Sequence, residues 1–554
     1  MEWGKPALDL AKKENKLILV SVGYFACHWC HVMQRESYSD KDISKKLNKE
    51  YISIKVDREL NPVLDKRLIE FVQVTNGTAG WPLNVFITPD GYPLVGMTYL
   101  PPNNFSGVLD QLNKKWPKES VSLSLQAKEM SETLVSLLEK QERSVKGDTT
   151  QLANNFVTVG MQYADTMQGG LGQSQKFPQI PQLWAMLKLN EKKKSKEADE
   201  FLKLTLQQIA QQGLHDDVAG GFYRYTIDPD WETPHFEKML YTNAMMPLLY
   251  FDAADIYKNP NYRDVALETL HFLQNEMLGK SNAYIASLSA VDSNNVEGGY
   301  YLWQQDELKR ILTTDELLIT NNYWKLNRAG ELPAGNLPRQ NLTLKELSKV
   351  LKLSEKETAI RLAKLKLKLK QHRNKTRKIP RDIKLLSGMN GLTLAAFARG
   401  AEFDHSVKIS GQKLSKFLIS LWNGKQLRRS AANDKNGTFY DYAAVSWGLT
   451  KWGIATNDEH AKKIGLAIAN VAWGKFHVNN LWIEDPDSLL PKTNNQTHIP
   501  DSALISPEAL LLEASILSNN PQLMKKAKSV QNNITRSLES NIYSYASLLA
   551  LEKQ

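Results

Sequence analysis

The feature that most constrains this chain is a pair of cysteines, Cys27 and Cys30, set just after an apolar strand and standing as the only two among 554 residues. Leu17, Ile18, Leu19, Val20 and Val22 read as a buried strand that stops at Gly23, and a polar, helix-compatible segment begins at His31. A thiol at a helix N-terminus meets the positive end of the helix dipole and unpaired N–H groups, which favour the thiolate. The first cysteine is then placed to attack a disulfide, and the second, one turn on, to resolve the mixed disulfide. Three alternatives stay open on these residues alone. Cys27-x-x-Cys30-His31 also spells a c-type haem attachment motif, His28 or His31 would serve half a zinc site, and a buried, inert pair is the plainest reading.

The residues that follow favour redox chemistry. Tyr51–Val56 is a second strand-like run ending at Asp57, and Pro62–Val74 reads as a helix. Gly80-Trp81-Pro82 opens the apolar run LNVFIT, and Pro89-Asp90-Gly91 turns the chain into a last strand, Tyr92–Met97. This is the thioredoxin order, in which a cis-proline faces the dithiol and leaves a backbone edge free for a partner. Pro82 is the candidate, with Trp81 beside it in the partner-binding wall. The expectations are a cis Trp81–Pro82 bond, and Cys27 as the more exposed and more acidic thiol with Cys30 buried behind it.

The length calls for two or more domains. Lys364–Lys378 holds eight Lys or Arg and no acid, against a net charge of +10 for the whole chain. The basicity is therefore one segment, read as a solvated helix face rather than a nucleic-acid surface. No run has the length of a membrane helix and nothing at Met1 resembles a signal peptide, so a cytoplasmic protein with no membrane segment is expected.

Beyond a linker near Val145–Asp148 strand patterns nearly vanish and amphipathic helical stretches recur, among them Phe236–Tyr257, Leu392–Phe403, Asp441–Ile454 and Ser506–Leu517. About twelve helices paired by turns suggest an (α/α)6 toroid of six hairpins; a solenoid competes, although no fixed-length repeat is visible. The division expected is a thioredoxin-like fold over 1–145 and the barrel over 150–554, an α/β plus an all-α architecture. Two long loops carry the interest. Asp216–Asn243 offers Arg224, Tyr225, Trp231 and Tyr241, with His235 and Glu237 at an expected helix start. Ala286–Trp303 offers Asp292 and Glu297 beside Gly298-Gly299. Asn390, in SGMNG, and Asp441, in FYDY, complete the set. Carboxylates over aromatic faces suit sugars.

The runs WGKPAL, KLILVSVGYFACHWCHVMQRES, IKVDRE, GWPLNVFITPDGYPL and TYLPP resemble the thioredoxin-like domain of the spermatogenesis-associated protein 20 family. GGLGQSQKFP, GGFYRYTID, PHFEKMLYTNA and SGMNGL resemble the same family's α/α-barrel half, which is similar in fold to N-acylglucosamine 2-epimerases and six-hairpin glycosidases. The chain departs from the family at Met389, where a tryptophan is usual, and at Arg381-Asp382, where an acidic pair is usual. The family's segment ahead of the first strand and its C-terminal α/β tail are expected to be missing. Three functions follow: a thiol–disulfide oxidoreductase using Cys27 and Cys30, a sugar epimerase or hydrolase using His235, Glu237 and Asp292, or a non-catalytic binding or chaperone-like protein. No cofactor or metal is called for. The expected partners are a protein dithiol or disulfide and a sugar in the barrel, which would meet Arg224, Tyr225, Trp231, Tyr241, Glu297, Asn390 and Asp441.

Overall fold

The computed structural model describes residues 1–141, 149–328, 330, 332–491, 496–533 and 536–551; the linker expected at Val145–Asp148 lies outside them. The chain forms two compact units, Met1–Arg143 with Val478–Thr497, and Ser144–His477 with His498–Gln554. Residues 478–497 thus belong to the first unit, not to the barrel expected over 150–554.

The first unit runs α1 (Lys5–Glu14), β1 (Ile18–Gly23), α2 (His28–Met33), α3 (Lys41–Glu50), β2 (Ile52–Asp57), α4 (Pro62–Asn76), β3 (Leu83–Ile87), β4 (Pro93–Met97) and α5 (Pro102–Gln141). The sheet order is β2-β1-β3-β4, with β1 parallel to β2 and antiparallel to β3. The β1 side chains are buried on both faces, which is why the sequence runs apolar there without alternating. This is the thioredoxin-like fold, and the Trp81–Pro82 bond is cis as expected. The 478–497 segment belongs to this unit through its packing. Leu490 enters the core with Leu64, Leu68 and Phe71, Lys66 meets Glu484 at 2.6 Å, and Arg67 donates to Ser488 Oγ at 2.7 Å.

The second unit is a closed ring of helical hairpins. Its elements are α6 (Thr149–Gln162), α7 (Ile180–Lys193), α8 (Lys196–Gln211), β5 (Tyr225–Thr226), β6 (Pro234–His235), β7 (Lys238–Met239), α9 (Leu240–Tyr257), α10 (Pro260–Phe272), β8 (Ser287–Leu288), α11 (Gln305–Ile311), α12 (Thr314–Tyr323), α13 (Leu344–Leu351), α14 (Glu355–Thr376), β9 (Arg381–Asp382), α15 (Ser387–Gly400), α16 (His405–Ser420), α17 (Phe439–Thr456), α18 (Glu459–Phe476), α19 (Pro507–Leu517), α20 (Pro521–Gln531), α21 (Arg536–Ser540) and α22 (Ala546–Leu549). Helices α7, α9, α15, α17, α19 and α22 each pack on the next, and α22 returns to α7, so the ring closes as an (α/α)6 barrel and the solenoid alternative falls. Helices α8, α10, α16, α18 and α20 lie outside, and α6 pairs with α22 across the chain ends. Most of the length of α9, α15, α17 and α19 is buried on all sides, as helices apolar all round must be.

The basic run covers the second half of α14 and the two residues that follow it. Its cations are spent inside the unit: Lys366 on Asp217 (2.6 Å), Lys368 on Glu316 (2.6 Å), Lys370 on Glu276 (2.8 Å), Arg373 on Asp216 (3.0 Å) and Arg377 on Glu307. Five of its eight Lys or Arg are thus neutralised by acids far away in sequence. The segment is an internal strap rather than a free charged face. Among the described residues no helix is long and apolar enough to cross a membrane.

Candidate functional sites

The dithiol stands where β1 gives way to α2. Cys27 and Cys30 are joined in a disulfide with Cα atoms 5.3 Å apart, and Cys27 is the N-cap of α2, its sulfur accepting the Cys30 N–H at 3.1 Å. Gly23 is required by close approach, since a Cβ there would lie 2.9 Å from Cys30 Sγ. The register pairs Val22 with Leu83, so the cis Trp81–Pro82 bond lies one step beyond, level with Gly23. Trp81 meets Tyr24 edge to face at 5.9 Å. The expected order of exposure is corrected: Cys27 is 3% exposed and Cys30 is the partly exposed one. In the closed disulfide the capping sulfur turns down onto the helix end, and its residue is enclosed. Trp29, 50% exposed and packed on Tyr99, forms the open rim.

In the barrel the two long loops meet. β7 pairs with β8, and β8 with β9, so residues 216–243 and 286–303 share one small sheet at the N-terminal ends of the inner helices. His235 and Glu237 do not start a helix: α9 begins at Leu240, and backbone pairing draws Pro234–Met239 into short strands, so the helix-dipole argument for His235 falls away. His235 stands opposite Tyr225, their rings stacked at 5.1 Å and 11°, and Phe177 stacks on the far face of Tyr225 at 4.4 Å. Its Nδ1 is buried without a hydrogen bond, 3.7 Å from Glu237 Oε1, and its Nε2 lies 3.9 Å from Glu297 Oε1. Glu237 is fully buried and accepts from Arg224 at 3.1 Å, whereas Glu297 is 41% exposed. Arg224, Tyr225, His235, Glu237 and Glu297 therefore come together.

The other expected residues do not join them. Asp292 spends Oδ1 on the N–H groups of Asn294 and Val296, 2.8 and 3.0 Å away, and fixes its own turn. Asn390 clamps Tyr284, accepting its N–H at 2.8 Å and donating to its carbonyl at 3.0 Å. Asn243 holds Phe222 in the same way, so an asparagine at the fourth residue of an inner helix is a repeated loop clamp. Asp441 is consumed by Arg429, Thr438, Ser387 and the Gly388 N–H. Trp231 is buried, its indole donating to Gln168 O at 3.0 Å. Tyr241 lies 7% exposed in the first turn of α9.

The sequence reading missed the charges behind this site. Lys238, wholly buried one residue after Glu237, donates to Asp216 Oδ2 and Gly220 O, both at 2.8 Å, and Arg373 reaches the same carboxylate. Phe272, Tyr223 and Tyr301 surround the ammonium at 4.5, 4.9 and 5.1 Å. Burial pushes the Lys238 ammonium down to about 8 against the pull of Asp216. The same burial would raise the Asp216 carboxyl, but its two cations hold it well below the usual range. The visible signal was the spacing Asp-x-x-x-Gly-Gly, found at 165–170 and again at 216–221. Among the described residues no group of three His, Cys, Asp or Glu is arranged to hold a metal ion.

Residues 1–135 match the family model Thioredox_DsbH, described as a protein of unknown function, DUF255. The chain is 30% identical over 476 residues to an uncharacterized protein of Caenorhabditis elegans, covering 78% of this chain and 64% of that one. It is 32% identical over 501 residues to spermatogenesis-associated protein 20 of Homo sapiens, covering 81% and 62%. The chain thus spans less than two thirds of the length of these curated relatives. Among solved structures, cellobiose 2-epimerase from Bacillus thermoamylovorans superposes with a TM-score of 0.44 at 10% identity, over 72% of this chain and 97% of that one.

Proposed function

This chain is similar to spermatogenesis-associated protein 20 over four-fifths of its length, and on the geometry of its first unit we propose that this unit exchanges disulfides through Cys27 and Cys30. The observation that carries this is the disulfide across the first turn of α2, its first sulfur capping the helix and its second packed against Gly23. In the reduced chain the Cys27 thiolate attacks a partner disulfide, forming a mixed disulfide and releasing one partner thiolate. The Cys30 thiolate then attacks Cys27 Sγ, which frees the second partner thiolate and leaves the Cys27–Cys30 bond. Two electrons pass to the partner; run backwards, the same steps oxidise it. The partner is a protein whose extended backbone pairs beside Pro82 while its side chains meet Trp81. Equilibration of the full chain with glutathione buffers, with Cys27→Ser and Cys30→Ser alongside, tests the reading. Wild type should interconvert, Cys30→Ser should trap a mixed disulfide and Cys27→Ser should be inert. Equal, unperturbed reactivity at both thiols would leave a structural pair.

A second activity has its own observation: the His235 ring, its Nδ1 without a hydrogen bond, stands between two glutamates on an aromatic stack. This arrangement suits a sugar without a phosphate or acid group, stacked on aromatic faces, with His235 taking a proton, the exposed Glu297 meeting hydroxyls, and Arg224 fixing Glu237. Melting curves in a panel of free, N-acylated and phosphorylated sugars test it. Stabilisation by a neutral sugar that is lost in His235→Ala supports the site, and no stabilising sugar would leave the barrel as scaffold.

A further inference from the structure

We propose that the ion pair between Arg58 and Asp65 sets the electrostatic balance of the Cys27–Cys30 dithiol, a positioning role that rests on the disulfide-exchange reading above. Arg58 follows β2 directly, and its N–H donates to Gly23 O at 2.9 Å. Gly23 is the residue against which the Cys30 sulfur packs. The Arg58 guanidinium lies 3.8 Å from the ring centre of Trp81 and 5.4 Å from that of Tyr24. The Tyr24 carbonyl in turn accepts the Cys27 N–H at 3.3 Å. Arg58 Nε stands 3.2 Å from Asp65 Oδ2, and the Trp81 indole donates to Asp65 Oδ1 at 2.7 Å. One cation and one anion thus tie the three segments that bound the dithiol: the end of β1, the end of β2 and the approach to β3.

The location gives the pair a role that stability alone does not require. A buried ion pair is poor evidence of net stabilisation, because desolvation offsets attraction. Asp65 is 6% exposed at its side chain and Arg58 26%, so neither charge is well screened by water. While paired, their fields on the sulfurs largely cancel. Removing either charge unbalances the pair at a developing thiolate, and the two deletions act with opposite signs. The other titratable groups on the flanking elements are Tyr24, His28 and His31, Lys55, Asp57 and Glu59, with Lys66, Arg67 and Glu70 on the helix that carries Asp65. His31 is held on Phe25 O and Asp57 on the Glu59 N–H. None of them is altered by the substitutions that follow, so a change of sign reports the pair.

The test uses the full chain with its disulfide reduced, reading the pH midpoint of thiol alkylation by iodoacetamide and, separately, the exchange rate with oxidised glutathione. Arg58→Met should raise the alkylation midpoint by about one pH unit, and Asp65→Asn should lower it by a comparable amount. The double variant should return to within a few tenths of wild type. Arg58→Lys, which keeps the charge, should stay near wild type even though its stacking is lost. A merely structural pair would leave the midpoints unmoved or shift both single variants the same way, with the double variant worst; either result overturns the proposal. If Asp65→Asn fails to fold, the contrast of Arg58→Met with Arg58→Lys still decides it. Alkylation reads the balance whether or not exchange occurs, so absence of glutathione exchange in wild type would fall on the redox reading alone.

Discussion

Two loops of the barrel, at 165–176 and 216–238, are built on the same device and put to different use. In each, an aspartate donates its N–H to the second glycine of Asp-x-x-x-Gly-Gly and accepts the N–H of the first: Asp165 with Gly170 and Gly169, Asp216 with Gly221 and Gly220. All four glycines have φ between 74° and 79°, and a Cβ on Gly170 or Gly221 would also strike Trp231 or Phe272. One carboxylate oxygen caps two backbone N–H groups, and the other takes a fully buried lysine at 2.8 Å, Lys176 in the first loop and Lys238 in the second. The differences lie around the device. Asp165 has one cation. Asp216 has two, because Arg373 of the α14 strap joins Lys238, and Lys238 follows directly on the segment that carries His235 and Glu237. The first loop is a latch, whereas the second is a latch that aims a candidate site.

The largest expected effect separates the two aspartates. Asp216→Asn leaves two cations buried without their anion and should cost about 4–5 kcal/mol, against about 3 kcal/mol for Asp165→Asn. Denaturant unfolding of both variants checks this, and an equal or reversed order would mean that Arg373 adds nothing to the second latch.

The lysines should reverse that order. Lys176→Met strands Asp165 with no cation and should cost about 3 kcal/mol; Lys238→Met leaves Asp216 with Arg373 and should cost about 1–2 kcal/mol. The same unfolding measurement decides, and a larger loss in Lys238→Met would show that its aromatic surround, rather than its charge, holds the loop.

A third aspartate isolates what the cation does. Asp501 accepts from the Ser506 and Ser547 N–H groups, each at 2.8 Å, and so ties the last hairpin of the ring. Burial pushes its carboxyl up to about 6 from 3.8, despite those bonds. Asp165 goes the other way, below its ordinary value: burial opposes the charge, but Lys176 and two backbone N–H groups outweigh it. The signs follow by linkage. Between about pH 6 and 4 the folded chain binds a proton at Asp501 that the unfolded chain does not, so this group's contribution grows as pH falls through 6. The contribution of Asp165 is present above the unfolded carboxylate range and is lost as pH falls below it. Asp501→Asn should therefore remove about 2 kcal/mol of the stability change between pH 7 and 4. A variant with an unchanged slope would refute the assignment.

The repeated device also explains what was readable from the sequence. The strand, the Cys27–Cys30 turn and the cis-proline were legible because each is set by neighbours within a few residues. The α14 strap was legible as basic and rich in helix formers. Its partners were not, since Asp216 and Glu276 lie about a hundred residues or more away and only the fold brings them near. Asp292, Asn390 and Asp441 stand out in the sequence as polar groups beside glycine and aromatic residues, yet that same company is what a loop clamp needs. Repetition was the discriminating signal: Asp-x-x-x-Gly-Gly occurs twice, and the asparagine clamp occurs at Asn243 and Asn390. What recurs across the ring serves the ring. His235 has no counterpart in the first loop, where Lys176 is preceded by Gln173, Ser174 and Gln175.

That asymmetry yields the smallest expected effect on stability. The His235 side chain makes no hydrogen bond to the backbone; its ring is held by stacking on Tyr225, and its nitrogens stand 3.7 and 3.9 Å from carboxylates, beyond hydrogen-bond length. His235→Ala therefore breaks no buried hydrogen bond and leaves the Asp216–Lys238–Arg373 latch intact. The loss should be limited to part of an aromatic stack on a ring that is 12% exposed, within about 1 kcal/mol. A latch residue cannot show this behaviour, because its removal uncovers a buried charge. If His235 were instead a structural member of the second loop, its variant would unfold 1–3 kcal/mol more easily, as loss of a satisfied buried group requires. Melting of His235→Ala beside Lys238→Met, with and without any sugar that stabilises wild type, compares the two roles within one loop. The expected pattern is a near-normal melt that no longer responds to sugar in His235→Ala, and a lowered melt that still responds in Lys238→Met. The reverse pattern would make the second loop only a second latch.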